Sequence, residues 1–212
     1  MFRIGLTGGI ASGKSAVGEM FVKLGAYLIQ SDAIAHRLME PDRPVYDEIV
    51  RSFGPVVLSP DRTINRAKLA EMAFGSGDRS VAGGAPRVKE LNAIVHPAVI
   101  AHENQWMDDI GARDPNAIAI VEAALILEAG AADRFDHLIV VTCAPEQRAQ
   151  RFAHRQGISA EVARAEVERR MAAQIPDQEK VKAADFVIDN SGSLKHTEAQ
   201  VRQVFSQFRS SR

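Results

Sequence analysis

Phe2-Arg3-Ile4-Gly5-Leu6-Thr7-Gly8-Gly9-Ile10-Ala11-Ser12-Gly13-Lys14-Ser15 is the stretch from which the fold of this chain is read. Phe2 to Thr7 is a short, mostly apolar run that ends in two glycines, the pattern of a buried strand feeding a tight turn. From Lys14 onward Val17, Met20, Phe21 and Leu24 recur at the spacing of an amphipathic helix, which Gly25 ends. Between strand and helix, residues 8–15 match G-x-x-x-x-G-K-[ST] in full. Four fixed positions match by chance in about one chain of this length in a hundred, and the strand–helix context lowers that further.

Glycines in such a loop admit backbone angles that turn successive N–H groups inward, and the helix N-terminus adds the positive end of its dipole. A polyphosphate is held in this way without net protein charge. Lys14 is placed to reach the β and γ phosphates and the Ser15 hydroxyl to ligate Mg²⁺. The motif implies a nucleoside triphosphate and by itself leaves kinase, GTPase switch and motor open.

Outward from the loop, residues 26–29 read as a second short strand. Gln30-Ser31-Asp32 follows, then a helical stretch to about residue 39 with Ser31 or Asp32 as its N-cap. Residues 40–116 carry most of the prolines, several short helical patterns, a Gly-rich piece at 75–84 and no convincing strand, the look of an inserted helical region. Strands return at 117–121, 137–142 and 185–188 as continuous apolar runs suited to a parallel sheet covered on both faces. A charged helical block, 145–183, separates the last two. Alternating strands and helices predict an α/β fold with a mainly parallel sheet.

Composition narrows the function classes. At 212 residues, 46% hydrophobic and 25% charged, the chain is neither a disordered tail nor collagen-like. With 26 Lys+Arg against 27 Asp+Glu, a net charge of −1 gives no global attraction to nucleic acid or anionic membranes. Cys143, the lone cysteine, cannot form an intrachain disulfide, and no apolar run reaches the roughly 18–20 residues of a membrane span. The N-terminal residues lack the pattern of a secretory signal. The expectation is a soluble cytoplasmic protein without nucleic-acid or membrane partners.

A GTP switch needs Asp-x-x-Gly after a strand and an N-K-x-D guanine reader; the chain offers only Asp189-Asn190-Ser191-Gly192 and no N-K-x-D. A kinase needs a base beside the acceptor hydroxyl. Asp32, just after the second strand, can take that place in a parallel sheet, or be a plain helix N-cap. Glu122 ends the run Ile118-Ala119-Ile120-Val121, where a carboxylate can orient magnesium through water or be an ordinary strand-end acid. Arg148, Arg151 and Arg155, at i, i+3 and i+7, share one predicted helix face, and Arg169-Arg170 follow in the next helix. Their fixed forks suit phosphoryl oxygens, while Glu146, Glu161, Glu166 and Glu168 nearby make some of them surface pairs. His96-Pro97 closes a helical stretch, the proline setting the start of the next helix.

Together these pieces resemble the dephospho-coenzyme A kinase family, whose members phosphorylate the ribose 3′-hydroxyl of dephospho-CoA in the last step of coenzyme A synthesis. The likeness spans nearly the whole chain. It rests on Leu6 to Ser15, Ser31-Asp32 with Ile34-Ala35, and Leu91 with Ile94-Val95-His96-Pro97-Ala98-Val99. Further on come Arg151 and Arg155, Arg170 with Gln174, Lys180, and Ala184-Asp185-Phe186-Val187-Ile188-Asp189-Asn190-Ser191-Gly192. The resemblance implies one P-loop kinase domain, three-layer α/β/α with a mainly parallel sheet. Its core would comprise about 1–39, 117–143 and 184–212, with a helical CoA-accepting insert at about 40–116 and a helical lid at about 144–183.

It further implies ATP and Mg²⁺. Gly8, Gly9, Ile10, Ala11, Ser12, Gly13, Lys14, Ser15 and Ala16, with Arg155 and Asn190, would bind the nucleotide. Asp32, Lys14 and Arg151 would act in catalysis; Asp32, His96, Pro97 and Arg170 would meet dephospho-CoA; Ser15 and, through water, Glu122 would serve the metal. A monomer or weak homo-oligomer is expected. The chain departs from the family pattern at Gln30, the first position of the usual Asp-Ala-Asp, and at Glu122, an acid one methylene longer than usual. Arg148 stands where Gln is common, and the 75–84 patch has no counterpart. A P-loop kinase for a nucleoside monophosphate or sugar, and a nucleotide-binding switch, are the alternatives.

Overall fold

The structure, a computed structural model, describes residues 1–74 and 87–210. In chain order its elements are β1 (Phe2–Thr7), α1 (Lys14–Lys23), β2 (Tyr27–Gln30), α2 (Ser31–Leu38), α3 (Pro44–Phe53), α4 (Arg66–Phe74), α5 (Val88–Arg113) and β3 (Ile118–Glu122). They continue with β4 (His137–Thr142), α6 (Pro145–Gln156), α7 (Ala160–Ala172), α8 (Asp177–Lys182), β5 (Phe186–Asp189) and α9 (Leu194–Ser210). Two compact units form, Met1–Gln30 with Met107–Arg212, and Ser31–Trp106.

The first unit holds a five-stranded sheet in the order β2-β3-β1-β4-β5, every pair parallel. All strands therefore deliver their C-terminal ends to one edge. The order reverses direction around β1: the chain leaves it for β2 on one side and later crosses to β4 on the other. The loop after Thr7 thus opens at the topological switch point where open α/β sheets bind ligands. Register fixes what else reaches that edge. Gln30 pairs with Glu122, Leu6 with both Glu122 and Ile139, and Thr142 with Asp189.

Ile4, Leu6, Ile118, Ile120, Ile139, Val141 and Ile188 turn one face of the sheet toward Val17 and Phe21 of α1 and Val201, Phe205 and Phe208 of α9. Each such side chain contributes about 1.5–3 kcal/mol on full burial. On the other face Leu138 and Val140 pack with Ile126, Leu127 and Phe135 from the β3–β4 connection. The α/β class and the parallel sheet are those the apolar runs predict.

Gly25, at φ 102°, ends α1 as its position indicates. β2 starts one residue later than the apolar run suggests. Ala26 donates its N–H back to Phe21 O at 3.1 Å, so it closes the helix and cannot join the ladder.

The second unit is helical, built from α2, α3, α4 and α5 as far as Trp106. Among its described residues the extended pairing is one antiparallel bridge, Leu58 with Ile64, beside which Tyr46 OH donates to Arg62 O at 2.6 Å. Two expectations change here. α5 runs unbroken through His96-Pro97 for 26 residues, with Val95 and Val99 buried on it. Pro97 removes one N–H from the ladder, a local loss that the buried face outweighs. Ser31 is also no backbone cap: it is the first residue of α2, and its Oγ donates to Glu103 Oε1 at 2.5 Å. The helical unit differs in its bounds from the region expected as an insert at 40–116: it begins at Ser31, so α2 falls in it and not with the sheet, and it ends at Trp106, so the last turns of α5, with the buried Met107 and Ile110, fall in the sheet unit. The 75–84 patch lies outside the described residues.

Candidate active site

Residues 8–15 form a loop between β1 and α1 whose backbone bends through Ala11, at φ 54°, and Gly13, at φ 93°. Gly13 has a second reason to lack a side chain, because a Cβ there would collide with Asn190 Nδ2. The N-cap of α1 is Gly13, which has no side chain to cap the first turn, so the N–H groups there are aimed into the loop, the arrangement that receives an anion. Lys14 Nζ donates to Gly8 O at 2.8 Å and Gly9 O at 3.1 Å, which keeps the ammonium over the loop. Ser12 Oγ is buried and has no hydrogen-bond partner among the described residues.

At the same edge Ser15 Oγ donates to Glu122 Oε1 at 2.7 Å, and Gln30 Nε2 donates to Glu122 Oε2 at 3.0 Å. The β2–β3 register creates this group by setting Gln30 beside Glu122. One buried carboxylate has both oxygens held, one of them by the hydroxyl at the eighth position of the phosphate loop. A neutral amide at position 30 leaves that site with a single negative charge.

The loop is braced from below by the end of β5. Asn190 Nδ2 donates to Ser12 O at 2.8 Å while its Oδ1 accepts from Thr197 Oγ1 of α9 at 3.0 Å. Arg151 adds Nη1 to Ser12 O at 3.4 Å and Nη2 to Asn190 O at 3.0 Å. Ser191 Oγ accepts the Ala144 N–H at 2.8 Å, tying β5 to the start of α6. The Asp189-Asn190-Ser191-Gly192 run is therefore structural support for the phosphate loop, built from side chains that have no neighbour in sequence to reveal them.

The arginines predicted to share one helix face have three different surroundings. Arg148 is buried. Arg151 lies half-buried under the loop, with its Nη1 also 3.2 Å from Cys143 Sγ. Burial pushes the Cys143 thiol up, against the pull of the Arg151 and Arg148 guanidiniums. Arg155 is exposed and, like Arg170 of α7, stacks over Phe152. Arg170 Nε also donates to Glu166 at 2.5 Å, and Arg169 foremost, with Arg170, holds the Glu166 carboxyl down at about 2. Phe152, Ala163 and Val167 form the core of the α6–α7 pair, and Ile10 and Ala11 of the phosphate loop pack against it.

Asp32 stands exposed in the first turn of α2, and on α5 His96 is half-buried and Pro97 exposed; all three belong to the helical unit. The sequence points to Glu122 and Ser15 but not to their mutual contact, and it marks neither Thr197 nor Asp177. Nothing local marks either residue, because the partners of each are set by the fold.

The chain is similar to known proteins over nearly its whole length. A family model described as dephospho-CoA kinase matches residues 2–196. A dephospho-CoA kinase of Geobacter metallireducens is 40% identical over 201 residues, 95% of this chain and 94% of the relative. One from Aquifex aeolicus is 37% identical over 207 residues, covering 98% and 97%. A solved dephospho-CoA kinase structure from Campylobacter jejuni aligns over 99% of this chain and 98% of its own, with a TM-score of 0.68 at 26% identity.

Proposed function

The chain belongs to the dephospho-CoA kinase family and is by that membership a kinase of dephospho-CoA; we propose that it works with Mg·ATP held over residues 8–15 and with Asp32 as the group that meets the acceptor hydroxyl. The observation that carries this reading is the phosphate loop itself. Its left-handed turns at Ala11 and Gly13, uncapped helix start and Lys14 ammonium match the needs of a polyphosphate.

The residues present also fit a magnesium ion. Ser15 Oγ and the Glu122 carboxylate are already joined, so the hydroxyl can offer its lone pair to a cation while Glu122 keeps its proton in place. When bound, magnesium offsets charge on the phosphate oxygens. Ser15 would hold it directly and Glu122 through water.

The rest of the chemistry belongs to side chains. Asp32 accepts or orients the 3′-hydroxyl proton as that oxygen forms its bond to the γ-phosphorus and the bond to the ADP oxygen breaks. Lys14, with Arg151 and Arg155, offsets the charge of the transferring group. His96, Pro97 and Arg170 would contact the acceptor, Asn190 and Arg155 the nucleotide. The helical region at about 40–116 would receive dephospho-CoA, and about 144–183 would serve as lid. Among the described residues no helix is long and apolar enough to cross a membrane. We infer a cytoplasmic enzyme, monomeric or weakly self-associating, that acts on a small molecule and binds no nucleic acid.

The test is ADP release from Mg·ATP with dephospho-CoA, AMP, CMP, adenosine or gluconate as acceptor, with product mass determined. Turnover confined to dephospho-CoA, with a gain of one phosphate, is expected. Preference for another acceptor would overturn the substrate assignment, and hydrolysis that no acceptor stimulates would point to a switch.

A further inference from the structure

Arg148 has no part in the reaction described above, yet it is 1% exposed and carries a full charge. Its guanidinium is held on three sides. Nε donates to Cys143 O at 2.8 Å, where β4 passes into α6, and Nη2 donates to Asp177 Oδ2 at the start of α8. Nη1 lies against Gly9 of the phosphate loop. A Cβ on Gly9 would collide with it and would sit 3.3 Å from Arg148 Cζ and 3.1 Å from Asp177 Oδ1. Gly9 is not among the residues with positive φ, so its backbone would accept alanine. What leaves no room for a side chain at position 9 is this guanidinium.

A flexible side-chain tip normally yields to an added methyl group. This one is pinned by a carbonyl and a carboxylate, and moving it would strand a buried cation. The partner helix is pinned as well: Lys180 of α8 is fully buried with its Nζ 2.7 Å from Glu128 Oε1, and Glu128 Oε1 also accepts the Ile175 N–H at 3.2 Å. One short helix thus carries two opposed ion pairs at i and i+3, one toward α6 and one toward the β3–β4 connection.

We propose that Arg148 is a positioning residue: paired with Asp177, it braces Gly9 and ties the shape of the phosphate loop to the docking of α8. It acts as a strut under the loop and not as a mobile phosphate clamp, since the bonds of Nε and Nη2 fix the guanidinium plane with Nη1 against Gly9. The inference rests on the reading that residues 8–15 hold the polyphosphate of ATP.

The test is a double-mutant cycle in the full chain with Gly9→Ala and Arg148→Gln, read as the Kd of a fluorescent ATP analogue with Mg²⁺ and as kcat and KM for dephospho-CoA. Gly9→Ala alone is expected to weaken nucleotide binding by about tenfold or more, because the methyl group displaces a pinned group. In the Arg148→Gln background, where the side chain ends short of Gly9, the same alanine should change Kd by less than about twofold, a clear departure from additivity. KM for dephospho-CoA should hold steady, and Arg148→Lys, which lacks the fork, should resemble Gln rather than the parent. Equal effects of Gly9→Ala in both backgrounds would overturn the proposal. Should Arg148→Gln fail to fold, Asp177→Asn provides the second background: unpinning the guanidinium should shrink the Gly9→Ala effect, and an undiminished effect would refute the strut. Parental turnover with dephospho-CoA tests the functional reading separately, because the cycle is decided by nucleotide binding alone.

Discussion

Replacing Lys180 with Met removes a buried cation at nearly constant volume and leaves Glu128 facing the interior without its counter-ion. Lys180 is 0% and Glu128 16% exposed. At 2.7 Å the two charges attract by about 6 kcal/mol for an effective dielectric near 20. Desolvation of both ions offsets most of that, so the pair as a whole adds little to stability. Removing one member is different. Glu128 Oε1 would keep the Ile175 N–H at 3.2 Å, and Oε2 has no partner among the described residues to take up the loss. Breaking such a pair costs about 3–5 kcal/mol, and the residual exposure of Glu128 puts this case near the lower end. For a chain of this size about 3 kcal/mol corresponds to a fall in Tm of roughly 6–12 °C. Lys180→Met/Glu128→Gln should recover about 2 kcal/mol, because the amide still accepts from Ile175 and no charge is left buried. Guanidinium unfolding followed by far-UV circular dichroism measures both. A single variant within about 1 kcal/mol of the parent, or a double variant as unstable as the single, would refute the reasoning.

Asp32→Asn should lower kcat by about 10²–10⁴ while nucleotide affinity stays within about twofold, as rapid-quench and binding measurements would reveal; near-normal turnover would remove Asp32 as the base. Asn190→Ala deprives Ser12 O of its 2.8 Å donor and Thr197 Oγ1 of its acceptor, and should weaken ATP binding by about tenfold, read by titration with a fluorescent analogue. Glu166, held down at about 2 from an ordinary 4.5 by Arg169 and then Arg170, stabilises the fold above its unfolded value and loses that contribution as pH falls from about 4.5 toward 2. The exposure of both arginines limits the effect to under about 1 kcal/mol; carbon-13 carboxyl titration of α7 should give a midpoint near 2, and a midpoint at the ordinary value would contradict the pairing.

The elements legible in the sequence are those whose signals are local. β1, the phosphate loop and α1 follow from a short apolar run, fixed glycine positions and a helical stripe that ends at Gly25. The three later strands are continuous apolar runs whose ends agree with the structure to within a residue. Where local rules misled, a longer-range interaction prevailed. Pro97 reads as a helix boundary, but α5 continues through it with Val95 and Val99 buried. Spacing puts Arg148, Arg151 and Arg155 on one face, yet burial against Gly9, contact with Ser12 and stacking on Phe152 give them separate roles.

The sequence by itself determined that this chain forms a parallel α/β sheet with a phosphate loop, because glycine spacing and apolar periodicity act between residues a few positions apart. Only the tertiary structure decided the strand order and the pairs that work the loop: Ser15 with Glu122 across 107 positions and Asn190 with Ser12 across 178. A hydrogen bond or a buried ion pair depends on separation in space and on exclusion of water, and neither exists until the sheet has brought its strand ends to one edge.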